Sequence, residues 1–458
     1  MLEKVNTNKE NIFNYGLFSK LEIKKIIVPL IIEQTLMLSV GMFDTLMVSV
    51  AGESAVSGVS LVDSINTLLI FLLTALATGG AIVVGQYIGS KNIEKSKIAG
   101  KQLLIASLGV STLFTIICLI LNNQLLSLIF GNVESSVMHN ASIYFYVTAI
   151  SFPFIAIYSS AAALFRAMGN TKKAMINSFI MNVVNIAGNA LFIYVMKWGA
   201  FGVGFSTLMS RIIATITIMI MLRNKDLIVS IRSYSFWKVN IGIIKSILKI
   251  SIPASLENGV FQIGRIILTS LIAVFGTTAI TANAVTGSLI NVATIPGQAL
   301  GLAITTIVAQ CVGAKEFEQA IAYTKHLVKL SWGCMITLDI GIFILLKPIL
   351  SLYNLSAETF SLAFIIMIIH IAGWVTVWPM SFALPNAFRA SGDVKYPMIV
   401  SAVSMAVFRI GCAYLFAYGF KLGALSIFFA MLMDWSFRCI CFYYRWKSGK
   451  WKQYAIVE

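Results

Sequence analysis

The sequence predicts an all-α membrane protein whose twelve transmembrane helices form two pseudo-symmetric six-helix bundles. Three observations carry this. Of the 458 residues, 58% are apolar and only 11% charged, with a mean hydropathy of +0.88; a soluble domain cannot bury that much apolar surface. The apolar residues gather into twelve stretches, each long enough to cross the ~30 Å hydrocarbon core of a bilayer. The two halves also repeat. Lys25, Pro29, Glu33, Gly52, Ala55, Ser64, Gln86 and Gly89 recur, at one constant offset, as Lys249, Pro253, Glu257, Gly276, Ala279, Ser288, Gln310 and Gly313. Phe165-Arg166-Ala167-Met168-Gly169 recurs as Phe388-Arg389-Ala390-Ser391-Gly392, and Lys172 and Met175 recur as Lys395 and Met398. Charged residues kept in register within hydrophobic segments mark a duplicated membrane protein, an architecture used mostly by transporters.

The predicted spans follow in order. The first, 26–50, carries Pro29 near its start, Glu33 one turn later and Asp44 well inside. The second, 61–86, ends in Gln86-Tyr87-Ile88-Gly89, matched in the other half by Gln310-Cys311-Val312-Gly313. A glycine closing a helix suggests a left-handed cap at Gly89 and Gly313. Spans 102–121 and 141–163 follow, then 175–196 with Asn177, Asn182, Asn185 and Asn189, and 201–222 with Arg211. The second half repeats the plan at 247–275, 286–311, 327–346, 361–385, 397–419 and 422–444. Six spans per copy return the chain to its starting side, so both copies share one orientation, related by an axis along the membrane normal. The expected domains are an N-terminal bundle, 1–222, a basic cytoplasmic linker, 223–246, and a C-terminal bundle, 247–458.

The net charge of +16 raises the question of nucleic acid, and its distribution answers it. With the N-terminus assigned to the cytoplasm, the outer side holds only Lys197, Lys347 and Lys421. Arg211, Arg265, Arg409 and Arg438 lie within predicted helices, and the remaining Lys and Arg are cytoplasmic, among them Lys91, Lys95, Arg223, Arg232 and Arg445. This positive-inside bias predicts both termini in the cytoplasm and needs no nucleic acid. The six cysteines, Cys118, Cys311, Cys334, Cys412, Cys439 and Cys441, stand in apolar segments without metal-ligand spacing, and read as small buried hydrophobes. Residues 1–20 contain no apolar run, so the first helix is expected to serve as the insertion signal. No phosphate-cradling Gly-rich motif stands in the sequence, so uphill transport is expected to draw on an ion gradient.

Carboxylates within predicted helices are Glu33, Asp44, Asp63, Glu257, Asp339 and Asp434. Each costs roughly 2.5–3.5 kcal/mol at a helix centre and needs a partner, water or a proton. Asp44 stands out because the repeat places Leu268 at its counterpart position; a carboxylate kept in one half does not serve the shared scaffold. Asn185 and Asn189 lie one turn apart on one helix face, and their counterparts are Phe408 and Cys412. With Asp44 they are expected to line one polar cavity in the first half. Glu33 and Glu257, kept in both halves, fit a scaffold role and a functional one equally, and Asp63 lies near the outer end of its helix. Asp339 and Asp434 are each candidates to pair with Arg265 or Arg409. His370, Trp374 and Trp378 make a stripe at fourfold spacing, suited to stacking on an aromatic or cationic compound or to ordinary helix packing.

Pro29 through Asp44-Thr45 and Met47-Val48, Gly52, Gln86-x-x-Gly89, Phe165-Arg166-Ala167-x-Gly169-Asn170 and the second-half copies together resemble the multidrug and toxic compound extrusion (MATE) family, from about Leu21 to Arg445. The resemblance implies two bundles forming a V around a cleft of alternating access. It also implies antiport of drug-like, cationic organic compounds against H⁺ or Na⁺ across a bacterial plasma membrane. Asp44 then matches the first-helix coupling carboxylate, with Asn185, Asn189, Asp63 and Glu257 completing the expected ion-coupling set. Asn189 replaces an Asp found in some members, and Phe261 stands where another branch has a carboxylate. Glu33, Arg265, His370, Trp374 and Trp378 are the expected substrate-cavity residues. No cofactor beyond the coupling ion, no resident metal and no catalytic group is expected, and one chain supplies both bundles, so a monomer suffices.

The main rival is a lipid-linked oligosaccharide or peptidoglycan-precursor flippase of related fold. Its anionic pyrophosphate calls for an arginine-rich cleft, whereas intramembrane carboxylates outnumber intramembrane arginines here. A membrane enzyme would need clustered His or carboxylates, but His139, His326 and His370 are scattered.

Overall fold

The computed structural model describes residues 13, 16–131, 133–231 and 238–457. Residues 232–237 of the expected linker, Arg232 included, lie outside the described residues, as does nearly all of 1–15. Among the described residues the chain is helical throughout. Helices α1 Lys20–Val48, α2 Glu53–Gly89, α3 Ile93–Ile120, α4 Asn122–Phe130, α5 Ser135–Ile150, α6 Phe152–Ala167, α7 Thr171–Asn189 and α8 Gly199–Leu222 make the first half. The second half comprises α9 Ile241–Val274, α10 Thr277–Ala293, α11 Ile295–Gly313, α12 Phe317–Ser351, α13 Ala357–Thr376, α14 Pro385–Ser391, α15 Lys395–Val403, α16 Cys412–Tyr414 and α17 Leu425–Lys447.

Ten helical spans among the described residues are long and apolar enough to cross a membrane, or eleven if the bent pair α5–α6 counts as one. The twelfth expected span falls in α9, a continuous helix of 34 residues, about 50 Å at 1.5 Å per residue. Lys245, Lys249, Glu257 and Arg265 dilute its apolar character, so α9 is long enough to cross but is not among the helices apolar enough to count. The expected span 361–385 is broken into α13, a π-helical turn Pro379–Ala383 and the start of α14, where Pro379 and Pro385 interrupt the helical hydrogen bonds.

The repeat is written into the backbone. Left-handed φ occurs at Lys91 (59°) and Lys315 (60°), at Lys197 (56°) and Lys421 (55°), and at Gly169 (75°) and Gly392 (95°). Each pair occupies equivalent places in the two halves. The helix closures expected at Gly89 and Gly313 differ in detail. Both glycines are the last helical residue, and Lys91 and Lys315 take the left-handed position. There Asn92 N donates to Tyr87 O and Glu316 N to Cys311 O, both at 2.9 Å, the long bond of a Schellman closure. Two wide π turns, Ala190–Val195 and Leu415–Gly419, also match across the halves.

Two compact units emerge, Val28–Ser255 on one side and residues up to Ile27 joined with Leu256–Glu458 on the other. The division falls inside α1 and α9. In the first unit, α2 is the central helix, packed on α3, α5 and α6, and α7 packs on α8. Small residues allow the approach: a Cβ on Gly58 would stand 2.8 Å from Ala141 N, as in other membrane helix contacts. The described linker residues stay docked to this unit, with Gln102 Nε2 donating to Lys238 O at 2.9 Å and Asn240 N donating to Gln102 Oε1 at 3.0 Å. In the second unit α11 packs on α12 and α14, and α10 on α13. Its core gathers Trp374, Trp378, Trp435, Met335 and Leu346.

Candidate functional site

The site in the first unit is built where α1, α2, α5, α7 and α8 converge. Asp44 sits on α1, three turns into the apolar half of that helix, and its carboxylate accepts from Asn189 Nδ2 at the end of α7. Asn189 is wholly buried, Asn185 nearly so, and Asp44 is 9% exposed. Asn185 Nδ2 approaches Thr207 Oγ1 of α8 at 3.5 Å, while Ser206 Oγ donates to Asn185 O at 2.7 Å. The Oδ1 atoms of Asn185 and Asn189 are buried without a hydrogen-bond partner among the described residues. A buried carbonyl oxygen without a donor is costly in hydrocarbon and is suited to a cation.

A second carboxylate stands close by. Asp63, half-buried on α2, accepts from Tyr144 Oη at 2.9 Å and Asn66 Nδ2 at 3.4 Å. Arg211 on α8 donates to Ser151 Oγ at 2.6 Å, and its charge acts on both Asp44 and Asp63. Two carboxyl groups and one guanidinium are thus gathered in this part of the first unit. Asp44, Asp63, Asn185 and Asn189, expected together from the sequence, are thus brought together. Tyr144, Asn66, Thr207 and Arg211 complete the site. Arg211 carried a sequence signal as a charge inside a helix, but neutral Tyr144 and Thr207 carried none.

The other expected residues fall elsewhere. Glu33 is buried and paired with Arg166 Nη1 at 2.7 Å. Glu257 belongs to the second unit, where Arg389 holds it with Nη2 at 2.7 Å and Ser401 Oγ donates to it at 2.8 Å. Each repeated Glu therefore grips the arginine of the Phe-Arg-Ala motif of its own half. Trp374 is fully enclosed in the core of the second unit, and His370 is 4% exposed, its Nδ1 2.9 Å from Ile366 O. The stripe is packed interior at these two positions, because α10, α12 and α17 pack against α13. Trp378 stacks on Phe382 at 5.1 Å. Of the two aspartates expected to pair with arginine, Asp434 does so, with Arg409 at 3.3 Å and Arg438 at 2.9 Å. Asp339 is buried with neither carboxylate oxygen hydrogen-bonded among the described residues. Arg265 is exposed. Among the described residues no three His, Cys, Asp or Glu side chains gather closely enough to hold a metal ion.

A duplicated helical membrane protein with a buried carboxylate–amide site is built as a transport protein. The MatE family model matches it twice, over residues 29–191 and 253–415. The chain belongs to the MatE family of membrane transporters. It is 26% identical to "Uncharacterized transporter YisQ" of Bacillus subtilis, over 94% of both chains. It is 23% identical to "Probable multidrug resistance protein NorM" of Thermotoga maritima, over 95% of this chain and 94% of that one. A crystal structure described as MATE in the bent conformation superposes with a TM-score of 0.87 at 19% identity, over 95% of this chain and 96% of the other. A transporter of the MOP superfamily from Pyrococcus furiosus, described as having a binding pocket of reverse polarity, matches with a TM-score of 0.87 at 19% identity, over 94% and 96% of the two chains.

Proposed function

We propose that this protein is a multidrug efflux antiporter of the bacterial plasma membrane. It exports drug-like, cationic organic compounds in exchange for H⁺ or Na⁺ by alternating access, with both termini cytoplasmic and the monomer as the working unit. The observation that carries the reading is the Asp44 site: a carboxylate held by Asn189, backed by partnerless amide oxygens and by the nearby charges of Asp63 and Arg211. A cation arriving from outside neutralises the surplus negative charge, and its departure restores it. A ligand shifts a two-state equilibrium only by its differential affinity for the states, and neutralising a charge in a low dielectric is a large differential term. Names of relatives such as the Thermotoga protein support the multidrug part of the reading.

The test is ethidium uptake into inside-out vesicles under a H⁺ or a Na⁺ gradient imposed separately, with Asp44→Asn alongside. One gradient is expected to drive uptake, and Asp44→Asn to abolish the driven component. Uptake that ignores both gradients, or that survives Asp44→Asn unchanged, overturns the role of Asp44.

A further inference from the structure

The cation reading leaves a cluster of arginines in the second unit unused. Asp434 on α17 is wholly buried. Its Oδ1 accepts from Arg438 Nε at 2.9 Å and from Ser404 Oγ, and its Oδ2 accepts from Arg409 Nη1 at 3.3 Å. Arg438 Nη1 further contacts Ser401 Oγ at 3.3 Å, and its guanidinium lies over the rings of Phe261 and Phe382 at 5.4 and 5.6 Å. That satisfies Arg438. Arg409 is left with a single long contact, and its Nε is buried without a partner among the described residues.

Arg265 adds a third guanidinium. Gly264 lets α9 approach the π-helical stretch Ser404–Gly411: a Cβ there would stand 2.7 Å from Met405 Cγ. Arg265 is the next residue along α9, and Arg409 stands one wide turn beyond Met405, so the two side chains flank one helix contact and repel each other. Arg265 makes no ion pair among the described residues. It does not face the apolar exposed side of α9, which carries Ile263 and Ile266. Instead Asn258, Gln262, Arg265 and Thr269 follow at three- and four-residue steps as one accessible polar stripe. Nine residues separate Arg265 from the end of α9, about 14 Å at 1.5 Å per residue. Glu257 offers no relief, because Arg389 and Ser401 already hold it. Asp434 is therefore shared by Arg409 and Arg438, and Arg265 adds a guanidinium that no carboxylate holds among the described residues.

We propose that Arg265 and Arg409 form an anion-binding site of the second unit that takes the carboxylate or phosphate group of an amphiphilic compound. Paired guanidiniums suit the planar, bidentate recognition of such groups, and the stripe through Asn258, Gln262 and Thr269 supplies neutral hydrogen-bonding groups alongside. The site is independent of Asp44 and goes beyond the antiport reading: it gives the protein a ligand of opposite charge to the coupling ion.

The test is binding of carboxyfluorescein, followed by fluorescence anisotropy, to the full chain in phosphatidylcholine nanodiscs, with ethidium as the cationic control. Losing one charge-assisted contact is expected to weaken carboxyfluorescein about tenfold in Arg265→Gln and in Arg409→Gln, to affect ethidium less than carboxyfluorescein in Arg265→Gln, and to be partly restored in Arg265→Lys. Arg265 has no ion pair to lose, so Arg265→Gln is the variant that keeps the fold. Asp44→Asn is expected to bind carboxyfluorescein like the parent protein, which separates failure of this site from failure of the antiport reading. A parallel titration in phosphatidylglycerol nanodiscs distinguishes the sources of the anion. Suppressed carboxyfluorescein binding there means that the site holds a lipid headgroup, and unchanged binding means that it holds a free organic anion; either outcome supports the site. No carboxyfluorescein binding by the parent protein, or binding indifferent to Arg265→Gln in a monodisperse variant, overturns it.

Discussion

Removing one member of a buried ion pair costs more than the pair contributes, because the survivor keeps its desolvation and loses its partner. Glu33–Arg166 and Glu257–Arg389 are such pairs, both closed at 2.7 Å. Arg166→Ala is expected to destabilise the protein by about 3–5 kcal/mol, measured as a fall in the unfolding midpoint in detergent, and Glu33→Gln with Arg166→Gln to be milder than the single change. If Arg166→Ala melts like the parent protein, the pair is not holding the bundle. The repeat made all four residues visible in the sequence, but not that each Glu grips the Arg of its own half, since helix rotation and depth are set by packing rather than by spacing. Asp44, Asn185 and Asn189 were legible for the opposite reason: they break the repeat. Arg211 shows what the repeat hides. At the offset relating Arg166 to Arg389 its counterpart is Asp434, so one equivalent position holds opposite charges. One unit ends with a surplus carboxylate and the other with surplus guanidiniums.

At the scale of an element, the turns carry the duplication as faithfully as the side chains do. Gly52 before α2 has φ 97° and ψ 165°, and Gly276 before α10 has φ 87° and ψ −178°, a region essentially closed to residues with a Cβ. Neither glycine has an atom within 4 Å of where a Cβ would stand, so backbone strain is the only obstacle to a substitution. Gly52→Ala is expected to cost about 1–3 kcal/mol. Gly109→Ala, equally uncrowded but inside α3, is expected to stabilise by about 0.5–1 kcal/mol. Chemical unfolding of the two variants side by side checks the sign, and equal effects would remove the strain argument. Gly52 and Gly276 were legible as a repeated pair. The closures after α2 and α11 were less so, because the sequence draws the eye to Gly89 and Gly313 while the left-handed turn is made by Lys91 and Lys315. A lysine pays a modest strain there, offset by the two hydrogen bonds that the closure makes. Of the π-helical stretches only Pro379–Ala383 carries a sequence signal, in Pro379 and Pro385; Ala190–Val195, Ser404–Gly411 and Leu415–Gly419 contain no proline to mark them.

For the whole molecule, the direction of transport depends on which way the chain lies in the bilayer, and the basic residues bear on that directly. Each cytoplasmic Lys or Arg near a helix end resists translocation, whereas Asp and Glu contribute little. Lys97 opens onto the loop side of α3, and Lys172 begins α7; both are exposed. Lys197 and Lys421 lie at the opposite ends of their bundles, after the π turns Ala190–Val195 and Leu415–Gly419, and are exposed as well. If the bias governs insertion, Lys197→Cys and Lys421→Cys react with a membrane-impermeant maleimide applied to intact cells, whereas Lys97→Cys and Lys172→Cys react only after permeabilisation. The half-buried native cysteines Cys334, Cys412, Cys439 and Cys441 are changed to Ser first, so that labelling reports the introduced thiol. If the two halves share one orientation, as the even number of expected spans per copy predicts, Lys197 and Lys421 behave alike. Opposite labelling of that pair would break the parallel arrangement of the repeat. Labelling of Lys97→Cys from outside would invert the topology, and with it the direction of the proposed antiport.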